Sequence, residues 1–113
     1  LAARATSEAL ERAKLDAAEI DAIFFTTVTG LATPTIDARL MNRLPFRPNV
    51  KRTPLFGLGC VGGAAGIARM HDYLRAYPSH TALLISVELC SLTLQLSDAS
   101  IPNLISSITS CSS

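Results

Sequence analysis

The sequence predicts an α/β fold built on a mostly parallel sheet with a buried central helix. Three observations carry this. Segments rich in β-branched and apolar residues alternate with segments of helical character. The two best strand candidates, "AIFFTTV" (22–28) and "TALLISVE" (81–88), are nearly continuous apolar runs, as strands covered on both faces tend to be. A run of small residues, "GGAAG" (62–66), opens the longest helical segment and suits close packing against neighbours.

Taken in order, residues 2–14 read as a helix dominated by Ala, Glu, Leu and Arg, with Ala5, Leu10 and Ala13 as candidate inward positions. "LDAAEID" (15–21) is a polar turn. The strand at 22–28 is broken by "TGLATP", with Gly30 and Pro34 as the breakers. "TIDARLMNRL" (35–44) predicts a helix with Thr35 as N-cap and Ile36, Leu40 and Leu44 at four-residue spacing. "PFRPNVK" is a loop, and "RTPLFG" (52–57) a strand shortened by Pro54. A helix from about Val61 to Tyr77 is stopped by Pro78. The strand at 81–88 comes next. The Ser-rich end, "SSITSCSS", predicts frayed chain. No repeat and no long linker is visible.

The totals narrow the function. The chain has 113 residues, the size of one domain, and 49% of them are hydrophobic. A mean hydropathy of +0.34 is more like the interior of something larger. With no initiator Met, the chain reads as a piece of a longer protein. A net charge of +1 and 5% aromatics offer neither an electrostatic reason nor stacking platforms for nucleic acid, and no attraction to a membrane surface. No apolar run approaches the roughly 18 residues of a membrane span, and no signal-peptide core is present. Cys60, Cys90 and Cys111 form no CxxC pair and no His/Cys ligand spacing, so no metal is expected and a reducing, cytoplasmic setting fits.

The stretch "LFGLGCVGGAAGIAR" (55–69) leaves three readings open. Gly57, Gly59 and Gly62 satisfy the GxGxxG of a dinucleotide-binding turn by count, with Glu88 as a late acidic residue. Alternatively, Cys60 is a small buried hydrophobe and the glycines only admit close helix packing. The third reading makes Cys60 a nucleophile on a strand-to-helix turn. Glycines permit the sharp turn and leave room for substrate, and the positive end of a helix dipole favours a thiolate, the reactive form. That reading accounts for the cysteine, the glycines and the helix together.

"GCVGGAAG" around Cys60 resembles the active-site turn of type III polyketide synthases, the chalcone-synthase-like enzymes. "FFTTVTGLATPTIDARLMNRL" resembles the strand–loop–helix before that nucleophile, with Thr29, Gly30, Pro34 and Asp37 in a TG-xxx-P-xx-D pattern. "RPNVKR" resembles the loop leading to the nucleophile strand, and "VELCSLTLQ" the segment after the next strand, in its bacterial form. The resemblance runs to about Ser107. It implies a thiolase-like fold, with residues 1–107 part of its N-terminal domain and 108–113 a divergent tail. It also implies a homodimer without a separate cofactor.

The resemblance implies the chemistry as well. A starter acyl-CoA loads the cysteine, decarboxylated malonyl-CoA attacks the thioester, and repetition with cyclisation gives an aromatic or pyrone product. By the same resemblance Cys60 is the covalent nucleophile, and Thr29, Thr33, Cys90 and Thr93 line the substrate pocket, with Thr33 facing the dimer interface. Gly59, Gly62 and Gly63 support the turn. Glu88 matches a buried acid, for which a structural partnership with backbone or Arg groups is the expected role. The His and Asn that the family uses have no counterpart here. His71 falls mid-helix, roughly 16 Å along the axis from Cys60, and His80 precedes a strand; both are expected on the surface. Arg39, Arg43, Arg47, Lys51 and Arg52 are expected to form a solvated face. A ketoacyl-ACP synthase III shares fold and nucleophile, but its cysteine usually sits in an "ACSGF"-like turn. A non-catalytic homologue with an inert cysteine is the remaining alternative.

Overall fold

A computed structural model describes residues 1–89 together with 100 and 101. Cys90, Thr93 and Cys111, and the expected tail at 108–113, lie outside the described residues. The chain runs α1 (Ala2–Ala13), β1 (Ala22–Thr27), α2 (Ile36–Leu40), β2 (Lys51–Phe56), α3 (Gly62–Ala76) and β3 (Ala82–Ser86). The three strands form one parallel sheet in the order β2-β1-β3, with Ala22 paired to Lys51 on one side and to Ala82 on the other. The chain therefore passes from one edge of this sheet to the other between β2 and β3, and α3 makes that crossing over β1.

Alternation along β1 sorts the layers. All six of its residues are buried. Ile23 and Phe25 join Leu10, Ala17, Ile20, Leu40, Phe46, Val50 and Ile85 in a core beneath α1 and α2. Phe24 and Thr26 face the other way, against α3: Phe24 meets the Tyr73 ring edge-on at 5.9 Å, and Gly62 lies directly over Thr26. Helices thus cover both faces of the sheet, which explains why β1 reads as an unbroken apolar run. The sheet-facing side of α3 is covered through Gly62 and Gly66, while its outer side, including Ile67 at 58% exposure, is open among the described residues.

Several elements differ from expectation in informative ways. On α1 the buried positions are Thr6 and Leu10, whereas Ala5 and Ala13 are exposed. An alanine-rich helix leaves its rotation underdetermined, and the largest apolar side chain, Leu10, sets it. Residues 17–19 form a 3₁₀ turn rather than a plain loop, held by the Glu19 carboxylate accepting from Asp16 N–H at 2.7 Å. Helix α2 closes at Leu40, and Met41–Leu44 continue as turns. Thr35 occupies its N-cap without a side-chain cap bond. β2 keeps six residues despite Pro54, because its missing N–H falls on an edge strand of the described sheet.

The basic residues do more than coat a solvated face. Arg52 reaches Asp37 Oδ2 at 3.2 Å, and that aspartate is 1% exposed. Arg47 donates to Asp21 Oδ1, and Asp21 Oδ2 accepts from Thr81 N–H at 2.8 Å. The Asp21 backbone also bonds Thr81 O and Lys51 N–H, so this one residue joins the entries of all three strands. His80 is half-buried rather than superficial: its Nδ1 is 2.7 Å from the Tyr73 hydroxyl and its ring stacks on Tyr77. The Lys51 ammonium lies 4.2 Å from the Tyr77 ring centre.

The Asp21 junction carries a pH dependence. The Thr81 amide, and after it the Arg47 guanidinium, hold the Asp21 carboxyl below its ordinary 3.8. A carboxylate with a lowered folded-state pKa contributes stability that is present above the unfolded value and is lost as pH falls through the folded one. Urea midpoints measured from pH 7 down to about 3 therefore fall more steeply for the native protein than for Asp21→Asn, which has no charge to lose. Equal acid limbs for the two proteins would show that Asp21 carries no such dependence.

Candidate active site

Parallel strands all end at the same edge of a sheet, and the loops beyond their carboxyl ends are gathered there. Thr27 pairs with Phe56, and Thr26 with both Leu55 and Ser86. Val28–Gly30, Gly57–Cys60 and Val87–Leu89 therefore leave the sheet side by side. Of the side chains predicted to carry function on the described part of the chain, Thr29, Cys60 and Glu88 fall into these three exits, and Thr33 lies beyond them on the β1–α2 loop.

The exit after β2 is the sharpest. Gly57 and Gly59 have φ of 74° and 55°, a region that side-chain-bearing residues rarely adopt. Their left-handed conformation turns the strand into a short 3₁₀ segment, Gly59–Val61, which runs directly into α3 at Gly62. Cys60 sits within that segment, one residue ahead of the α3 N-cap Val61, as an exposed free cysteine. It is not the buried hydrophobe of the packing reading. Leu58 (41% exposed), Val61 (65%) and Phe56 (36%) flank it in sequence and expose apolar surface among the described residues.

The glycines divide by physical cause. Gly59 is required by its φ. Gly62 is required by space, since a Cβ there would lie 2.4 Å from Thr26 Oγ1. At Gly63, also expected to support the turn, a Cβ would meet nothing within 4 Å among the described residues. Gly66, four residues after Gly62, is a further close approach, with Leu84 Cδ1 2.5 Å from where its Cβ would stand. The Gly62–Gly66 spacing was the available signal. Gly57, which also satisfies the dinucleotide spacing, is part of the turn by its left-handed φ.

The exits after β1 and β3 are tied together. Glu88 accepts from Val28 N–H at 2.7 Å through Oε1, and from Thr29 N–H at 3.1 Å and the Thr29 hydroxyl at 3.0 Å through Oε2. Thr29 Oγ1 accepts from Leu89 N–H at 2.8 Å. Glu88 is exposed here rather than buried, and its partners are backbone amides and a hydroxyl. Thr33 lies farther out on the same β1–α2 loop, exposed beside exposed Leu31. The loop's start is held by Thr27 Oγ1, which accepts from Gly30 N–H at 3.0 Å. His71 is exposed along α3 and is not brought to the cysteine. Among the described residues no group of three or more His, Cys, Asp or Glu side chains is arranged to hold a metal, and no helix is long and apolar enough to cross a membrane.

Comparison with known proteins agrees with this arrangement. Residues 2–100 match the sequence model of the FAE1/type III polyketide synthase-like protein family. The chain is 58% identical over 105 residues to a 1,3,6,8-tetrahydroxynaphthalene synthase of Streptomyces peucetius subsp. caesius, covering 93% of this chain and 28% of that protein. Among solved structures, germicidin synthase from Streptomyces coelicolor, a type III polyketide synthase, superposes with a TM-score of 0.86 at 33% identity, over 93% of this chain and 27% of that one. The tetrahydroxynaphthalene synthase of Streptomyces coelicolor A3(2) gives a TM-score of 0.81 at 37% identity, over 88% and 28%. The chain thus spans little more than a quarter of the length of these relatives.

Proposed function

Because the chain belongs to the FAE1/type III polyketide synthase-like family, we propose that it is the nucleophile-bearing part of a type III polyketide synthase, with residues 1–107 belonging to the N-terminal thiolase-like domain and 108–113 to a divergent tail. The observation that carries this is Cys60, exposed on a glycine-shaped turn between β2 and α3 at the carboxyl edge of a parallel sheet. Its relatives include synthases of tetrahydroxynaphthalene, an aromatic polyketide product, which supports the same reading.

In this reading the Cys60 thiolate attacks the carbonyl of a starter acyl-CoA, forming a protein thioester and expelling the CoA thiolate. Malonyl-CoA loses CO₂, and the resulting enolate attacks the Cys60 thioester carbon. A carbon–carbon bond forms, Cys60 leaves as thiolate, and a β-ketoacyl-CoA two carbons longer is released or reloaded. CoA thioesters are the substrates and no further cofactor enters the step. Gly59 and Gly62 hold the turn that presents Sγ. Thr33, with Cys90 and Thr93 beyond the described residues, lines the cavity for the growing chain. The His and Asn that the family uses to activate the thiol and hold the thioester oxygen have no counterpart among these 113 residues, and the assembly is proposed to be a homodimer.

A direct test incubates the intact protein with acyl-CoA starters of graded length and malonyl-CoA, and follows CoA release and ultraviolet-absorbing products. Condensation with at least one starter is expected. The 113-residue chain, assayed alongside, is expected to give no turnover above buffer. A folded intact protein that releases no CoA from any starter would refute the reading.

A further inference from the structure

The Thr29 hydroxyl is engaged in both directions. Its proton goes to Glu88 Oε2 at 3.0 Å, and its oxygen accepts from Leu89 N–H at 2.8 Å. The Glu88 carboxylate also takes the amides of Val28 and Thr29. These bonds join segments about 60 residues apart in sequence, at the exits of β1 and β3. A hydroxyl has one proton to donate. With that proton held by a carboxylate, in a bond stronger than a neutral one, Thr29 has none to offer a substrate oxygen. The hydroxyl is thus committed to holding the loop, which leaves the Thr29 methyl to line a pocket.

We propose that Thr29 and Glu88 are positioning residues: a clasp that fixes the β1–α2 loop against the segment leaving β3, at the sheet edge where Cys60 stands. The proposal rests on the condensing role given above. Both clasped segments leave the sheet at the edge where Cys60 stands, so their separation sets how well an extended chain is held for the next condensation. Loading of Cys60 by a starter needs only the turn. Loss of the clasp therefore impairs extension more than loading.

The test compares two readouts in the intact protein: the rate of formation of the Cys60 acyl adduct, and the ratio of full-length product to early-released shorter acids and pyrones. In Thr29→Val, which keeps shape and loses the hydroxyl, the ratio falls about tenfold further than loading does, as small displacements near a reacting centre permit. Thr29→Ser restores it. Glu88→Gln, whose amide nitrogen opposes the Thr29 donors, shows the same shift, and the double variant Thr29→Val/Glu88→Gln is no worse than Glu88→Gln alone. A native ratio in Thr29→Val, equal damage in Thr29→Ser, or additive effects in the double variant would each overturn the clasp. Should Glu88→Gln not fold, the Val/Ser pair decides alone. A wild-type protein that never acylates Cys60 refutes the condensing role instead. Amide exchange at Leu89 then reads the clasp: faster exchange in Thr29→Val supports it, and equal exchange overturns it.

Discussion

Replacing Cys60 by alanine abolishes both acyl-adduct formation and condensation, with turnover falling by at least about a thousandfold, as removal of a covalent nucleophile does. The expectation rests on position. Cys60 is exposed, the turn that carries it is held by two left-handed glycines, and it leads directly into α3. Alanine keeps the backbone of that turn and removes only the sulfur, so the variant folds and the loss is chemical. Intact-mass measurement after incubation with an acyl-CoA, together with peptide mapping, separates Cys60 from Cys90 and Cys111. A single adduct on Cys60 in the native protein and none in Cys60→Ala supports the assignment. An adduct that persists in Cys60→Ala, on either other cysteine, would move the nucleophile elsewhere. A folded protein without any adduct would make the turn a relic of packing, the inert-cysteine alternative.

Much of the fold was legible because it depends on patterns that the chain carries locally. β1 is buried along its whole length, and its continuous apolar run reported it faithfully; the run at 81–88 located β3, which occupies only Ala82–Ser86 and is half-buried at the edge of the described sheet. Pro78 placed the end of α3 within one residue, since the helix closes at Ala76 and Tyr77 has left helical geometry (φ −128°, ψ 72°). The rotation of α1 was not legible, since alanines on every side give a helix no single apolar stripe. Nor were the partners of the basic residues. Arg47 and Arg52 look like surface charges in sequence, and only the fold brings Asp21 and Asp37 to them across 26 and 15 residues. The site divides the same way. The glycine–cysteine turn is contiguous and could be read directly. The bonds between Thr29 and Glu88 span about 60 residues, and the family resemblance alone placed the two residues in one neighbourhood. Their chemistry, a hydroxyl already donating to a carboxylate, required geometry.

Adjacent glycines at the start of α3 are expected to respond differently to the same substitution. Gly62→Ala costs about 1–3 kcal/mol of stability, the usual penalty of overpacking a filled site. Its Cβ would stand 2.4 Å from Thr26 Oγ1, and Thr26 is 2% exposed on the fully buried central strand. A β-branched side chain in a packed strand has few rotamers to retreat into, so the helix start must lift instead. Cys60 is two residues upstream and moves with it. A shift near 1 Å at a reacting centre costs on the order of a hundredfold in rate, so activity falls by more than stability alone explains. Gly66→Ala is milder, because the obstructing atom, Leu84 Cδ1, is the end of a flexible side chain. Gly63→Ala meets nothing within 4 Å and gains up to roughly 0.5–1 kcal/mol from helix propensity. Urea denaturation of the three variants is expected to rank them in that order. Thr26→Ala in the Gly62→Ala background removes the obstructing oxygen and restores part of both stability and turnover. If Gly62→Ala were as stable and active as the native protein, α3 would not be seated on β1 by this contact, and the placement of Cys60 would need another cause.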